Sequence, residues 1–243
     1  MSGLIGGVIR RRLEGRYDLV ALNGHRPTEG VTSHIADIAD LDAILPAFEG
    51  VHTVIHLAAE SSEDSTWQVY RDSNLTGTYN VFEASRRSGV SRVIFASSGS
   101  AIKAYERIPP YDALVTGRYD DVPASWEKVT DRSMPRPNSI YGCTKLWGEA
   151  VARMYSDYHG ISAICIRIGA VNKEDRPKDM RQFSVWCSQN DIGGLVERCV
   201  GARESLKFDI FYAVSDNKWS YRDMEHAREV LGFVPEDSAD RLR

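Results

Sequence analysis

Long apolar runs are absent from this sequence of 243 residues. No stretch approaches the roughly 18–20 residues that a membrane span needs, and the N-terminus lacks the apolar core of a signal peptide. A cytoplasmic location is the expectation. Charge of one sign is also scarce: 30 Lys and Arg stand against 34 Asp and Glu, a formal net charge of -4. That balance gives no electrostatic reason to expect nucleic acid or an anionic membrane as partner. Cysteine is limited to Cys143, Cys165, Cys187 and Cys199, far apart, with no CxxC and no His at metal-ligand spacing. A disulfide framework or a zinc site needs tighter clustering, so no metal is expected and the thiols read as free and mostly buried. Cys143 stands out only because it follows Tyr141 by two residues. Internal repeats and low-complexity tracts are missing too.

What remains is ordinary for a soluble enzyme: 42% hydrophobic and 26% charged residues. The length suits one α/β domain over 1–243 with a sizeable core. Short β-rich runs alternate with helical stretches, the mark of βαβ units and a mainly parallel, doubly wound sheet. Strands are predicted at 18–22, 51–59, 92–96, 162–168 and 208–214, with a weaker one at 34–36. The run VHTVIHLAA is apolar enough for burial on both sheet faces. Helices are expected to open at Gly3-Leu4-Ile5-Gly6-Gly7 and to span 80–87, 139–159 and 221–231. Gly89, Gly160 and Gly232 would end the last three. Five prolines and a glycine within 103–138 predict a long loop over the active site. Its Tyr105, Tyr111, Tyr119 and Trp126 could stack on a sugar ring or pack the loop down, with packing the preferred reading.

The chemistry concentrates in Tyr141-Gly142-Cys143-Thr144-Lys145. Spacing i, i+4 puts the phenol and the ammonium on one helical face, with Cβ atoms about 5–6 Å apart. A phenol with an ordinary pKa near 10 is a poor base at neutral pH, and a neighbouring cation favours its phenolate. The strand before it runs into Ser97-Ser98-Gly99-Ser100, and ligands bind at the carboxyl ends of parallel strands. A serine hydroxyl there could hold a substrate alcohol against the tyrosine oxygen, although a Ser-rich turn is common in itself. The N-terminal glycines would let backbone approach a pyrophosphate at a helix N-terminus. Asp37 could accept from an adenine amino group or cap the helix that follows.

Together these residues resemble the extended short-chain dehydrogenase/reductases, the NAD-dependent epimerase/dehydratase family. The likeness runs through GLIGG (3–7), DIAD (37–40), VIHLAA (54–59), NLTGTYN (74–80), FASSGS (95–100), YGCTK (141–145) and RIG (167–169). It implies Tyr141 as base, Lys145 as the group that lowers its pKa, Ser98 as the substrate-positioning hydroxyl, and Asn74 as a buttress of the lysine through water. The NAD site it implies comprises Gly3, Ile5, Gly6, Asn23, Asp37, Ile38, Leu57, Ala58, Ala59, Asn74, Tyr141, Lys145 and Ile168. Its substrate site comprises Ser61, Ser98, Gly99, Ser100, Tyr141 and Arg181. Within the superfamily the chain is similar to uronate dehydrogenases and archaeal NAD-dependent glucose-6-phosphate dehydrogenases. That likeness rests on Pro135-Arg136-Pro137, Arg181 before Trp186, Ser215-Asp216-Asn217 and HAREVLGFVP (226–235). It implies oxidation of a hexose-type sugar at C1 to a lactone, with Arg181 on the substrate's anionic end.

Three departures qualify the resemblance. Uronate dehydrogenases carry Asn-His where this chain has Gly99 and Ser100, so the sugar can differ from a uronate. Asn23 stands where NAD-preferring relatives place Asp, with His25 and Arg26 nearby, which leaves NADP open. The family's first strand should precede Gly3, and it is central in the 3-2-1-4-5-6 order. Losing it would orphan ladder groups at roughly 1–3 kcal/mol each, so a shortened form of a longer protein is expected. The leading reading is an NAD(P)-dependent sugar dehydrogenase that can pair as a homodimer. A nucleotide-sugar epimerase or dehydratase and a non-catalytic cofactor-binding protein are the alternatives.

Overall fold

Among the described residues every ladder is parallel. The computed structural model describes residues 1–62 and 64–242. Its strands are β1 (Val20–Asn23), β2 (Thr32–Ile35), β3 (Thr53–His56), β4 (Arg92–Ser98), β5 (Ser162–Ile168) and β6 (Phe208–Ala213). Four of them form one sheet in the order β3-β4-β5-β6, while β1 and β2 pair separately. Packing rather than a ladder joins the two parts: Leu22, Ala36 and Ile38 rest against the cluster of Ile44, Phe48, Val81 and Phe82.

Alternation along β4 and β5 sends successive side chains to opposite layers, as a pleated strand requires. Ile94, Ile164 and Ile166 face α1 (Leu4–Leu13), α4 (Gln189–Val200) and α5 (Glu225–Leu231), whose Val8, Ile9, Leu195 and Ala227 share their cluster. Val93, Phe95, Ala163 and Cys165 face α2 (Gly77–Arg87) and α3 (Ile140–His159) through Val81, Phe82, Val151 and Ala152. Both central strands are buried except at their last residue, which explains their apolar runs.

α3 begins where Ser139 accepts a hydrogen bond from the Gly142 amide at 3.1 Å. It stops at Gly160, whose φ of +73° places it in the left-handed region. Gly148 brings this helix onto the sheet: a Cβ there would lie 2.2 Å from Phe95 Cζ. Among the described residues no helix is long and apolar enough to cross a membrane.

Two expectations need correction. The last helix starts at Glu225, not Tyr221. Tyr221–Asp223 run alongside Val129, whose amide donates to Tyr221 O at 2.7 Å and whose carbonyl accepts from Asp223 N at 3.0 Å. The Asp223 carboxylate accepts from Glu225 N, the first residue of the helix, and the pairing with Val129, distant in the chain, overrides the apolar pattern. The 103–138 stretch is also less loop-like than its prolines suggest. It holds the end of a 3-10 segment (Gly99–Arg107), a helix at Tyr111–Thr116 and a 3-10 turn at Tyr119–Asp121. Its aromatics pack: Tyr119 stacks on Trp219 at 3.9 Å, Tyr111 meets Tyr221 at 5.5 Å, and Trp126 lies over Trp219.

Candidate active site

Parallel pairing places Ser98 beside Ile168 at the carboxyl edge of the four-stranded sheet, with His56 and Leu57 leaving β3 toward the same side. The N-terminal turn of α3 closes over this edge. Gly142 makes that approach possible, since a Cβ there would lie 2.6 Å from Ser100 O. Bare backbone therefore abuts bare backbone between the serine turn and the YxxxK turn.

Lys145 is buried, and its Nζ sits 5.6 Å from the centre of the Tyr141 ring and 5.1 Å from that of Phe95. The ammonium donates to Ala96 O at 2.8 Å. Burial pushes its pKa down to about 8, against the opposing pull of Glu149. His56, also buried, donates or accepts at Thr78 Oγ1, 3.2 Å away. Burial first, and the Lys145 charge second, push its pKa down to about 3, so it stays neutral. Ser98 Oγ accepts from Ser100 N at 3.1 Å and so caps the 3-10 segment that follows. That geometry leaves the serine hydrogen for another acceptor.

Asn74 lies in a π-helical segment, Tyr70–Thr76, ahead of α2. Its Oδ1 accepts from Glu60 N at 2.8 Å, and its Nδ2 donates to Glu60 O and Thr144 Oγ1, each at 2.9 Å. The side chain thus clamps the segment leaving β3 to α3 beside Lys145. No sequence pattern announces a π-helix, which often marks a functional position.

The residues expected to hold a dinucleotide are distributed around the same edge and the end of β1. Gly3 caps α1 without a side-chain hydrogen bond, and a Cβ on it would meet nothing within 4 Å. Ile5 is half-buried, and Gly6 lies under Met1, where a Cβ would come within 2.9 Å of Met1 Cα. Asn23 ends β1 and accepts from the Met1 ammonium at 2.8 Å. Asp40, not Asp37, caps the short helix Leu41–Ile44 through Ala43 N. Asp37 is exposed and accepts from Ala39 N. Ile38 packs beneath Gly77, and its carbonyl accepts from Asn80 Nδ2 at 2.9 Å. Leu57 and Ala59 are half-buried, Ala58 is exposed, and Ile168 closes β5. An uncapped helix start, an open glycine and a buried ammonium fit the pyrophosphate and ribose of NAD.

On the substrate side, Ser61 is exposed and Gly99 is buried between Ser98 and Ser100. Arg181 donates to Glu106 through Nε and Nη2, at 2.6 and 2.7 Å, and the Tyr221 hydroxyl donates to the same carboxylate at 2.8 Å. Sequence reasoning missed three groups here. Glu149 and Arg167 form a buried bidentate pair at 2.8 and 2.9 Å, with Ser97 donating to Glu149 at 2.6 Å. Glu149 was legible, being one turn beyond Lys145 on the same face. Arg222 is the third, buried against Gly99. Of the cysteines, Cys165, Cys187 and Cys199 are buried and Cys143 is exposed. Asp131, Asp209 and His226 bring ligand atoms within 4.8 Å of one another, with His226 already bonded to Asp209 at 2.7 Å.

The fold and this cluster define a short-chain dehydrogenase/reductase. Residues 1–181 match the model of the NAD dependent epimerase/dehydratase family. The chain belongs to that family, and NAD is the family's cofactor. It is 35% identical over 240 residues to a NAD-dependent glucose-6-phosphate dehydrogenase of Haloferax volcanii, covering 98% of this chain and 88% of the relative. To a uronate dehydrogenase of Pseudomonas putida it is 33% identical over 247 residues, covering 100% and 84%. A solved mutated uronate dehydrogenase superposes with a TM-score of 0.84 at 29% identity, covering 100% of this chain and 81% of the other.

Proposed function

We propose that this protein is a NAD-dependent sugar dehydrogenase that oxidises a hexose-type sugar at C1 to its lactone. The observation that carries the reading is the Lys145 ammonium set 5.6 Å from the Tyr141 ring at the carboxyl edge of a parallel sheet. Three relatives bear names of sugar dehydrogenases at 31–35% identity, which supports the same chemistry.

In this mechanism the Tyr141 oxygen takes the proton of the C1 hydroxyl as general base. Lys145, still largely protonated at pH 7 with a pKa of about 8, stabilises the phenolate through its charge. Ser98, its oxygen already engaged with Ser100 N, donates its hydrogen to the substrate oxygen and fixes the alcohol's direction. A bound NAD would supply the hydride acceptor. Asn74 keeps the β3 exit and α3 in register, and so acts as a positioning residue. Gly3, Ile5 and Gly6 would face the pyrophosphate, Asn23 the adenosine ribose, Asp37 and Ile38 the adenine. Leu57, Ala58, Ala59 and Ile168 would line the cofactor's path, and Lys145 would also hold the nicotinamide ribose.

One domain over 1–243 would serve cofactor and sugar alike, in the cytoplasm. Exposed Ile140, Trp147, Met154 and Tyr158 along α3 suit a second copy of the chain.

NADH formation from a panel of sugars with purified protein tests the reading, with NADP in a parallel arm. Tyr141→Phe is expected to lower kcat by about 10²–10⁴-fold. An epimerase would give no net NADH, and that result would reject the proposal.

A further inference from the structure

A cavity of about 520 Å³ opens at the far end of α1 from the glycine turn. Arg12 in the last turn of α1 lines it, with Arg16 and Tyr17 just beyond. Glu197 and Arg198 join from the last turn of α4, and Arg203 from the turn that follows. The last two residues of α5 add an apolar wall. Arg92, the first residue of β4, donates to Val200 O at 2.7 Å and to Arg203 O at 3.2 Å. The cavity therefore sits at the amino edge of the sheet, opposite the edge that carries Ser98.

Four guanidinium groups and one carboxylate line it, so three positive charges stand in excess, in a protein whose net charge is -4. Glu197 is shared: it accepts from Arg12 Nε at 2.6 Å and also pairs with Arg16. Arg198 and Arg203 have no carboxylate partner among the described residues. Cations at the end of a helix ordinarily answer its free carbonyls. Here buried Arg92 already takes Cys199 O and Val200 O, so Arg198 and Arg203 are not needed as caps. The frame beneath the charges is fixed as well. The Arg12 stem crosses Gly193, where a Cβ would come within 3.1 Å of its Cδ, and Arg12 Nη1 donates to Asn190 at 3.0 Å.

We propose that this cavity binds a small molecule bearing a diphosphate group, with Arg198 and Arg203 as its main contacts. Guanidinium forks match phosphate oxygens, and clustered like charges on a fixed frame gain from a polyanion. One phosphate carries about 1.5 to 2 negative charges at neutral pH, so two are needed to meet an excess of three. The volume falls in the range of small-molecule sites, and the Tyr17 ring, 41% exposed, offers a face to the organic remainder. The site is separate from the catalytic edge and does not depend on the sugar dehydrogenase reading.

The test is calorimetry of inorganic pyrophosphate, and of inorganic phosphate, into the full chain in excess NAD, which occupies the glycine turn. Pyrophosphate should bind at one site, at least about tenfold more tightly than phosphate. Arg198→Ala combined with Arg203→Ala should weaken it at least about tenfold, the order of one charge-assisted hydrogen bond. Arg132→Ala, at an exposed arginine outside the cavity, should leave it unchanged. Both altered side chains of the double variant are exposed, so its Tm without ligand should match wild type, and pyrophosphate should raise the Tm of wild type alone. Absence of pyrophosphate binding, equal affinity for the two anions, or binding that survives the double substitution overturns the inference. So does an equal loss in Arg132→Ala, which would mean attraction to surface charge without a site.

Discussion

Two buried cations flank α3, and the protein treats them in opposite ways. Lys145 has a backbone carbonyl and two aromatic faces for company, and burial brings its pKa down to about 8. Arg167, on β5, meets Glu149 one helical turn beyond Lys145. Burial alone would pull its pKa down, but hydrogen bonds and charge from Glu149 hold it above its ordinary value. The carboxylate makes the difference. A cation given a bidentate partner becomes part of the frame, whereas one given only a carbonyl keeps an adjustable proton beside Tyr141. The same α3 face supplies both environments, with Lys145 and Glu149 four residues apart.

Breaking the sealed cation should have the largest effect. Glu149→Ala leaves Arg167 buried and unpaired, and it is expected to lower stability by about 3–5 kcal/mol, read from the denaturant midpoint. Unchanged stability would mean that Arg167 had found another partner. Lys145 should show itself through pH. Its folded pKa, about 8, lies below the ordinary 10.5, so between those values the unfolded chain binds more protons than the folded one. Stability should therefore rise from pH 8 to pH 10.5, by on the order of 3 kcal/mol, and lie at its lower level below pH 8. Lys145→Met should flatten that rise while abolishing turnover. A rise that persists in the variant assigns it elsewhere. The smallest effect is expected at the start of the helix. Ser139→Ala removes the cap on Gly142 N and should cost about 1 kcal/mol, leaving the pH dependence of Lys145 intact.

The class of fold was legible because its signals are local. Apolar runs of strand length, glycines at 89, 160 and 232 and the i, i+4 spacing of Tyr141 and Lys145 need no tertiary knowledge. The strands at 92–96 and 162–168 reappear in β4 and β5. What escaped depended on contacts distant in sequence. The residues 221–224 read as helix, but Val129, remote in the chain, bridges to Arg222 and bonds Tyr221 and Asp223. Glu106, within a presumed loop, takes up Arg181, and Arg222 reaches Gly99 across more than a hundred residues. Asn74 was recognised by motif, but its bond to Thr144 bridges 70 positions.

The meeting of Gly142 with the Ser100 carbonyl separates reach from selectivity. Because Gly142 has no side chain to hold off the Ser100 carbonyl, the two turns meet through backbone. The distance between the serine turn and the YxxxK turn is thus set by backbone, and side chains elsewhere on the rim can change without resetting it.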